Sequence, residues 1–186
     1  MVVLAAILSA AAACPAAPVP LELFSEPQGW FTIAFPRTWT VKSRELNGRE
    51  VRNGVLETGR LSIVHARAED EPTYVDVFAG LLREPISSLQ FAASSSIVPE
   101  AGETMTEVQW GLTRIDGREA YYRYFNVDRT NGENSFAMFV YVVAGRGGFQ
   151  LTAETPRDET YRQRSVPLLQ QILQSFHAGA ISLPSR

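Results

Sequence analysis

The chain has 186 residues, of which 45% are hydrophobic and 20% charged, and this is the composition of one globular domain long enough to bury a core. With a formal net charge of -3, the chain has no overall basic field that would point to nucleic acid or anionic lipid. One cysteine, Cys14, excludes an internal disulfide and a cysteine-based zinc site within this sequence.

The first residues have the pattern of an export signal. Residues 1–13 are almost wholly apolar or small and end in alanines directly before Cys14, so we predict a signal peptide there. A cysteine in this position resembles a bacterial lipobox, and Cys14 is the predicted lipidation site. The alternative is simple signal cleavage, with Cys14 removed or incidental. The apolar run is shorter than the ~20 residues that a membrane-spanning helix needs.

Three further segments follow the signal. Residues 14–23 are predicted to be a lipidated, proline-rich tether, since their prolines favour an extended chain. Residues 24–178 are predicted to form the folded domain, with its first residues near Leu21 to Phe24. Residues 179–186 lack a periodic pattern and are predicted to be a loose C-terminal tail.

The domain opens with residues 29–41, which indicate two strands. Apolar Phe31, Ile33 and Phe35 alternate with their neighbours at the period of a strand. Pro36 cannot donate to a ladder, so the first strand ends there. We expect Trp39, which begins the next strand, to be buried under a helix and its fluorescence to be blue-shifted and poorly quenched by iodide.

The next region is predicted to contain two strands and a helix. The strands cover residues 51–57 and 61–66 and are joined by a turn at Thr58-Gly59. An acidic segment then introduces a helix with an apolar stripe at helical spacing. A further turn of helix follows Pro85. The residues of the stripe and of the further turn are Tyr74, Val77, Phe78, Leu81, Leu82, Ile86, Leu89 and Phe91.

A four-strand meander is predicted from turn signals and apolar runs. Its turns lie at Asp116-Gly117, which is a strong hairpin signal, and at two further glycine-containing segments. The strands cover residues 104–115, 118–127, 136–144 and 149–153.

The last predicted element is a helix that starts near Pro156 and ends at Gly179. Its apolar stripe consists of Leu168, Leu169, Ile172, Leu173 and Phe176. His177 follows this stripe, where a cation would complement the negative end of the helix. The predicted fold class is α+β, an antiparallel β-sheet with helices packed on it.

Four segments resemble the PsbP-like family in order along the chain. Residues 29–39 (GWFTIAFPRTW) are similar to the opening GFxIxYPxxW of that family, and residues 116–124 (DGREAYYRY) to its central GxxxYYxxEY strand. Residues 147–153 (GGFQLTA) resemble its GxxYxL strand, and residues 172–176 (ILQSF) its closing IxxSF segment. The resemblance extends from about residue 24 to residue 177.

The resemblance implies an α-β-α sandwich, usually in exported or lumenal proteins. In oxygenic phototrophs such proteins attach to photosystem II on its lumenal side or help to assemble it, and cyanobacterial members are typically lipoproteins, which fits Cys14. Other bacteria carry related exported lipoproteins. Two features depart from the photosynthetic members. Residues 155–161 carry a tyrosine and no tryptophan, and the metal-binding histidines of some members have no clear counterparts.

Candidate chemistry is sparse. His65 and His177 are the two histidines, and the sequence has no nucleophile elbow, phosphate-binding glycine loop or HExxH motif. We therefore predict no catalytic residue and no cofactor. Two oxygen-rich segments could hold a metal, but we interpret both as structural and predict no metal site. They are His65 with Glu69, Asp70 and Glu71, and the turn with Asp128, Asn131 and Glu133.

A protein-binding surface is predicted on the second meander strand. Tyrosine and arginine dominate interface hot spots, and this strand carries both. Half of an alternating strand must face the core, so only part of the set is available. The candidate partner-binding residues are Arg118, Tyr122, Arg123 and Tyr124.

The sequence therefore predicts a non-catalytic, exported, membrane-tethered accessory or assembly protein at a membrane complex. That complex is photosystem II if the organism is oxygenic. The expected partners are the membrane, through the lipid on Cys14, and a protein complex, with no nucleic acid. The expected location is the periplasmic or thylakoid-lumenal face of a membrane. The alternative is an envelope lipoprotein of a non-photosynthetic bacterium that binds a small ligand or a divalent metal.

Overall fold

The computed structural model describes residues 19–47, 56–95, 97–179 and 181. The predicted signal peptide, Cys14 and most of the predicted strand over residues 51–57 lie outside these ranges. Within them the chain forms ten strands and two helices. In chain order they are β1 (Leu21–Ser25), β2 (Phe31–Pro36), β3 (Thr40–Asn47), β4 (Leu56–Arg67), β5 (Tyr74–Leu82), α1 (Ser88–Ser94), β6 (Glu103–Ile115), β7 (Arg118–Arg129), β8 (Ser135–Ala144), β9 (Gly147–Pro156), α2 (Glu159–Gln174) and β10 (His177–Ala178).

The strands form two antiparallel sheets. The large sheet has the order β3-β4-β5-β9-β8-β7-β6, and the small sheet has the order β1-β2-β10. Every strand pair in the described ranges is antiparallel. The predicted α+β class, with helices on an antiparallel sheet, is confirmed.

The large sheet is covered differently on its two faces. On one face, called the α2 face, alternate residues such as Val77 and Leu151 join a core with the small sheet and with Leu169 and Ile172 of α2. On the opposite face, called the α1 face, the core is smaller and includes Phe91 of α1. α1 has seven residues and is therefore about 10 Å long. Seven strands span about 29 Å, so α1 leaves much of its face open.

The meander is confirmed. Strands β6 to β9 follow one another in the sheet, as the sequence predicts. The β6–β7 turn has positive φ at both central residues, 53° at Asp116 and 69° at Gly117. Such a turn matches the twist of a hairpin, and Asp-Gly is a pair that tolerates this conformation.

The helix predicted over residues 74–82 is wrong, because this segment is strand β5. Val75, Val77 and Ala79 alternate with more exposed neighbours and are buried on the α2 face. The last residues of β5 are buried without alternation. That continuous apolar end imitates the spacing of a helical stripe, whereas the β-branched valines favour the strand.

The turn predicted at Thr58-Gly59 is also wrong. Strand β4 runs from Leu56 to Arg67 without interruption. Its pairing with β5 shifts register between Leu56 and Leu61, so the glycine lies in a strand irregularity. Glycine inside a strand often marks such a site.

Both predicted ends of the last helix are wrong. Pro156 ends β9, and Asp158 caps α2 by accepting a hydrogen bond from the backbone N–H of Thr160. The helix stops at Gln174. His177 therefore does not cap the helix but lies in β10, where its Nδ1 is 2.8 Å from Oδ1 of Asp116.

Two smaller expectations near the core also change. Trp39 is half-buried and stacks on Phe35 at 6.4 Å between ring centroids, so the expectation of full burial under a helix is wrong. The further helical turn after Pro85 exists as α1, whose N-cap Ser87 forms a capping box with Gln90. It buries Phe91 and leaves Leu89 exposed.

Replacing Tyr141 by phenylalanine should stabilise the fold. Tyr141 is fully buried, and among the described residues its hydroxyl has no hydrogen-bond partner. Because an unsatisfied buried hydroxyl is costly, we expect Tyr141→Phe to raise the free energy of unfolding by about 1 kcal/mol, as measured by urea denaturation. Tyr74→Phe is the matched control and should be destabilising, because the Tyr74 hydroxyl donates to Glu154. Equal effects of the two substitutions would contradict this assignment.

The same residue gives a pH dependence. Burial raises the pKa of Tyr141 to about 12, whereas an unfolded tyrosine has a pKa of about 10. The folded state thus holds this proton more tightly. The difference in pKa therefore leaves the free energy of unfolding unchanged below the unfolded pKa and lowers it as the pH rises through the folded pKa. The Tyr141→Phe variant should lose less stability over that alkaline range.

Candidate ligand-binding groove

A row of polar side chains crosses the open part of the α1 face. Register places Arg67 of β4 opposite Tyr74 of β5, and Tyr74 opposite Glu154 of β9. The adjacent row contains His65 opposite Asp76. These residues share a face because side chains two apart on a strand point to the same side.

Glu154 is the centre of a hydrogen-bonded network. Its Oε1 accepts from Nη2 of Arg129 at 2.7 Å and from Oγ of Ser135 at 2.5 Å. Its Oε2 accepts from the hydroxyl of Tyr74 at 2.5 Å. Arg129 also donates from Nε to Glu103 at 2.7 Å. The buried carboxylate of Glu154 therefore links four strands, which are β5, β7, β8 and β9.

The electrostatics of this network keep the Tyr74 phenol protonated and the Arg129 guanidinium charged. Burial and the neighbouring Glu154 carboxylate raise the pKa of Tyr74, so its phenol stays a donor. Burial alone would lower the pKa of Arg129, but its bonds to Glu154 and Glu103 outweigh that effect and raise it. Charge-assisted hydrogen bonds of this kind are stronger than neutral ones.

His65 and Asp76 form a second polar pair beside the network. Nδ1 of His65 lies 2.6 Å from Oδ1 of Asp76, and the imidazole packs on the ring of Tyr74 at 5.8 Å. Burial raises the pKa of Asp76, and the bond to His65 opposes that shift. With Nδ1 occupied and the side chain 44% exposed, Nε2 of His65 is the ring nitrogen left for a ligand.

Two cavities meet at this network. The larger measures about 920 Å³ and is lined by His65 and Arg67, while the smaller measures about 520 Å³ and is lined by Asp76. Both are also lined by Tyr74, Arg129 and Glu154. Ligand sites in proteins are usually of about 300–1,000 Å³ with a few convergent polar groups, and this groove has that form.

The groove carries charged and hydrogen-bonding side chains. A nucleophilic triad would place a hydroxyl or thiol on the second nitrogen of the histidine. In the described part of the chain the hydrogen bond of His65 goes to Asp76. The groove instead presents fixed charges and hydrogen-bonding groups that can orient a bound molecule.

The two oxygen-rich segments are used within the protein. Glu71 accepts from Oγ of Ser165 at 3.4 Å and does not join His65. Oδ1 of Asn131 accepts from the backbone N–H of Glu133, which closes a hairpin turn. Within the described ranges no group of three or more histidine, cysteine, aspartate or glutamate side chains is spaced to hold a metal ion.

The structure separates the predicted partner-binding residues. Tyr122 and Tyr124 pack on the α2-face core, and their rings are 4.8 Å apart. Arg123 points to the α1 face and bonds to Glu107 at 2.7 Å. Arg118 is exposed beside the β6–β7 turn. The four residues do not form one surface.

Sequence reasoning missed the groove itself. Tyr74 and Asp76 were assigned to a helix, which would direct them away from β4 and β9. The alternation of valines around them was the signal that could have revealed a strand and, with it, the cross-strand pairs. Glu154 and Arg129 carried no such signal, because their approach depends on the sheet order.

The comparisons with known proteins identify the class of fold. No protein-family model matches the sequence, and no curated protein matches it. The chain is similar to the solution structure of cyanobacterial PsbP (CyanoP) from Synechocystis sp. PCC 6803, with a TM-score of 0.53 and 13% identity over 90% of this chain and 97% of that one. The chain therefore belongs to the α+β class, with helices packed on an antiparallel sheet. Within that class it has the PsbP-like fold.

A second structure has a similar fold. A chain from Bacteroides thetaiotaomicron matches with a TM-score of 0.52 and 11% identity. The match covers 86% of this chain and 48% of the other, so the present chain spans about half of its length. Among the described residues, none of the helices is long and apolar enough to cross a membrane.

Proposed function

We propose that the chain is an exported, membrane-tethered accessory or assembly protein that acts without catalysis at a membrane complex. The observation that carries this proposal is the PsbP-like fold, shared with cyanobacterial PsbP over 90% of the chain. The sequence adds an apolar segment that ends directly before Cys14. In an oxygenic organism, the resemblance favours photosystem II as the complex.

The tether defines how the domain meets its partner. Leu21, where β1 starts, is seven residue steps after Cys14, and at about 3.1 Å per step an extended proline-rich chain would cover about 22 Å. A diacylated, N-acylated cysteine would hold the domain firmly. The domain would then stay within one protein diameter of the membrane, which keeps it close to membrane-bound complexes.

Palmitate labelling tests the anchor. We expect radiolabelled palmitate to enter the full chain and to be lost in the Cys14→Ala variant, which removes the thioether site. Cys14→Ser is a second variant that keeps the side-chain size. Labelling that survives both substitutions would contradict lipidation at Cys14.

Isolation of a tagged chain from detergent-solubilised membranes tests the accessory role. A membrane complex should be recovered with the wild-type chain and be reduced with Cys14→Ala. Recovery of the chain alone from both would contradict the accessory role.

The second candidate function, binding of a small ligand in the envelope, is favoured by the 920 Å³ cavity.

A further inference from the structure

Three cations on the α1 face have no ion-pair partner among the residues that the structure describes. Arg67 lines the larger cavity, and Lys42 and Arg44 lie on the edge strand β3 beside it. All three are exposed. Lys42 is directly opposite His65 in the ladder, so their Cβ atoms are about 5 Å apart.

The acids of the same cavity are occupied by the protein. Glu154 accepts from Arg129, Ser135 and Tyr74. The other acidic side chains that line the cavity also accept hydrogen bonds, and they are Glu133 and Asp158. Arg129 compensates the charge of Glu154, whereas Glu133 and Asp158 accept from neutral donors and keep their charges on the β8–β9 side of the cavity, away from β4. The β3–β4 side of the cavity is therefore its attractive side for an anion.

We propose that the larger cavity binds a phosphate group at Arg67, with the protonated imidazole of His65 donating from Nε2 as a second contact and Lys42 as a charge at the rim. A guanidinium fork matches phosphate oxygens bidentately, and an ammonium group binds them as a point charge. Asp76 fixes the imidazole of His65 in place. The phosphate is carried by a free phosphate ester or by a lipid headgroup, and both present negatively charged non-bridging oxygens.

This proposal is independent of tethering, so it is tested in solution. The full chain is produced without lipid modification and titrated by NMR with inorganic phosphate in one arm. In the other arm it is mixed with phosphatidylglycerol vesicles or phosphatidylcholine vesicles and sedimented. The variants are Arg67→Ala and His65→Gln. Arg164→Ala is the matched control, because it removes the same charge from an exposed position on α2.

We expect Arg67→Ala to weaken phosphate binding about tenfold, the effect of one charged hydrogen bond, and Arg164→Ala to leave it unchanged. Saturable shifts with inorganic phosphate show that a phosphate group without a lipid is a sufficient ligand. Binding only to phosphatidylglycerol vesicles, still weakened by Arg67→Ala, identifies the lipid headgroup. No binding in either arm would overturn the proposal, and so would binding that Arg67→Ala and Arg164→Ala weaken equally. Tryptophan fluorescence reports whether each variant is folded.

Discussion

Glu154→Gln should lower the free energy of unfolding by about 3 kcal/mol, because the substitution removes the charge of a buried carboxylate that accepts three hydrogen bonds. The carboxylate accepts from Arg129, Tyr74 and Ser135, and its side chain is 11% exposed. Glutamine keeps the shape but replaces one acceptor oxygen by a donor that would face a donor. Urea denaturation of both proteins measures the loss.

Glu107→Gln is the matched control for that experiment. Glu107 also pairs with an arginine, Arg123, at 2.7 Å, but its side chain is 33% exposed. Partly exposed ion pairs contribute about 0–1 kcal/mol, so this substitution should have a small effect. If the two variants unfold at the same urea concentration, burial of Glu154 does not decide its contribution.

The network shows what the sequence could not supply. Glu154 and Tyr74 are 80 residues apart and meet because β5 and β9 are neighbours in the large sheet. Local sequence patterns predict single strands and turns, but they do not show which distant strand lies beside β5. Because the sequence pattern predicts a helix over residues 74–82, it does not predict the pairing of β5 with β9 or the site formed there.

The meander was predictable because its signals are local. Asp116-Gly117 selects a tight hairpin turn by its own backbone preference, and each turn fixes the pairing of the two strands beside it. The four strands β6 to β9 need no information from the rest of the chain. The order of the remaining strands depends on contacts across the core, and there the sequence pattern was silent.

The predicted partner-binding residues stay a prediction, but the structure divides them between the two faces of the sheet. Tyr122 and Arg123 are adjacent in sequence and therefore project from opposite faces of the sheet. The choice of the buried face is made by α2 and the small sheet, which pack on the side of Tyr122. A run of tyrosines and arginines on a strand therefore indicates a binding surface only when it is known which alternate residues face the solvent. His65 shows the converse, since its interpretation as a structural histidine concealed its place at a cavity.

Phe149→Ala should lower the free energy of unfolding by about 4 kcal/mol, which is the usual cost of truncating a fully buried phenylalanine. Its ring lies 6.2 Å from that of Phe31 and 5.2 Å from that of Phe176. It thereby joins the large sheet, the small sheet and the end of α2 in one core. Alanine would leave a cavity at this junction, and both neighbouring rings would lose contacts. Calorimetry and urea denaturation measure the effect.

Two further variants separate the cavity from simple loss of apolar surface. Phe149→Leu keeps most of the volume and should cost about 1 kcal/mol. Leu23→Ala removes apolar surface from a side chain that is 63% exposed, and its effect should stay within about 0.5 kcal/mol. If Phe149→Ala costs no more than Leu23→Ala, the two sheets are not held together at this junction. If Phe149→Ala has the largest effect of the three, the contact between Phe31 of β2 and Phe149 of β9 is a major contribution to the stability of the fold.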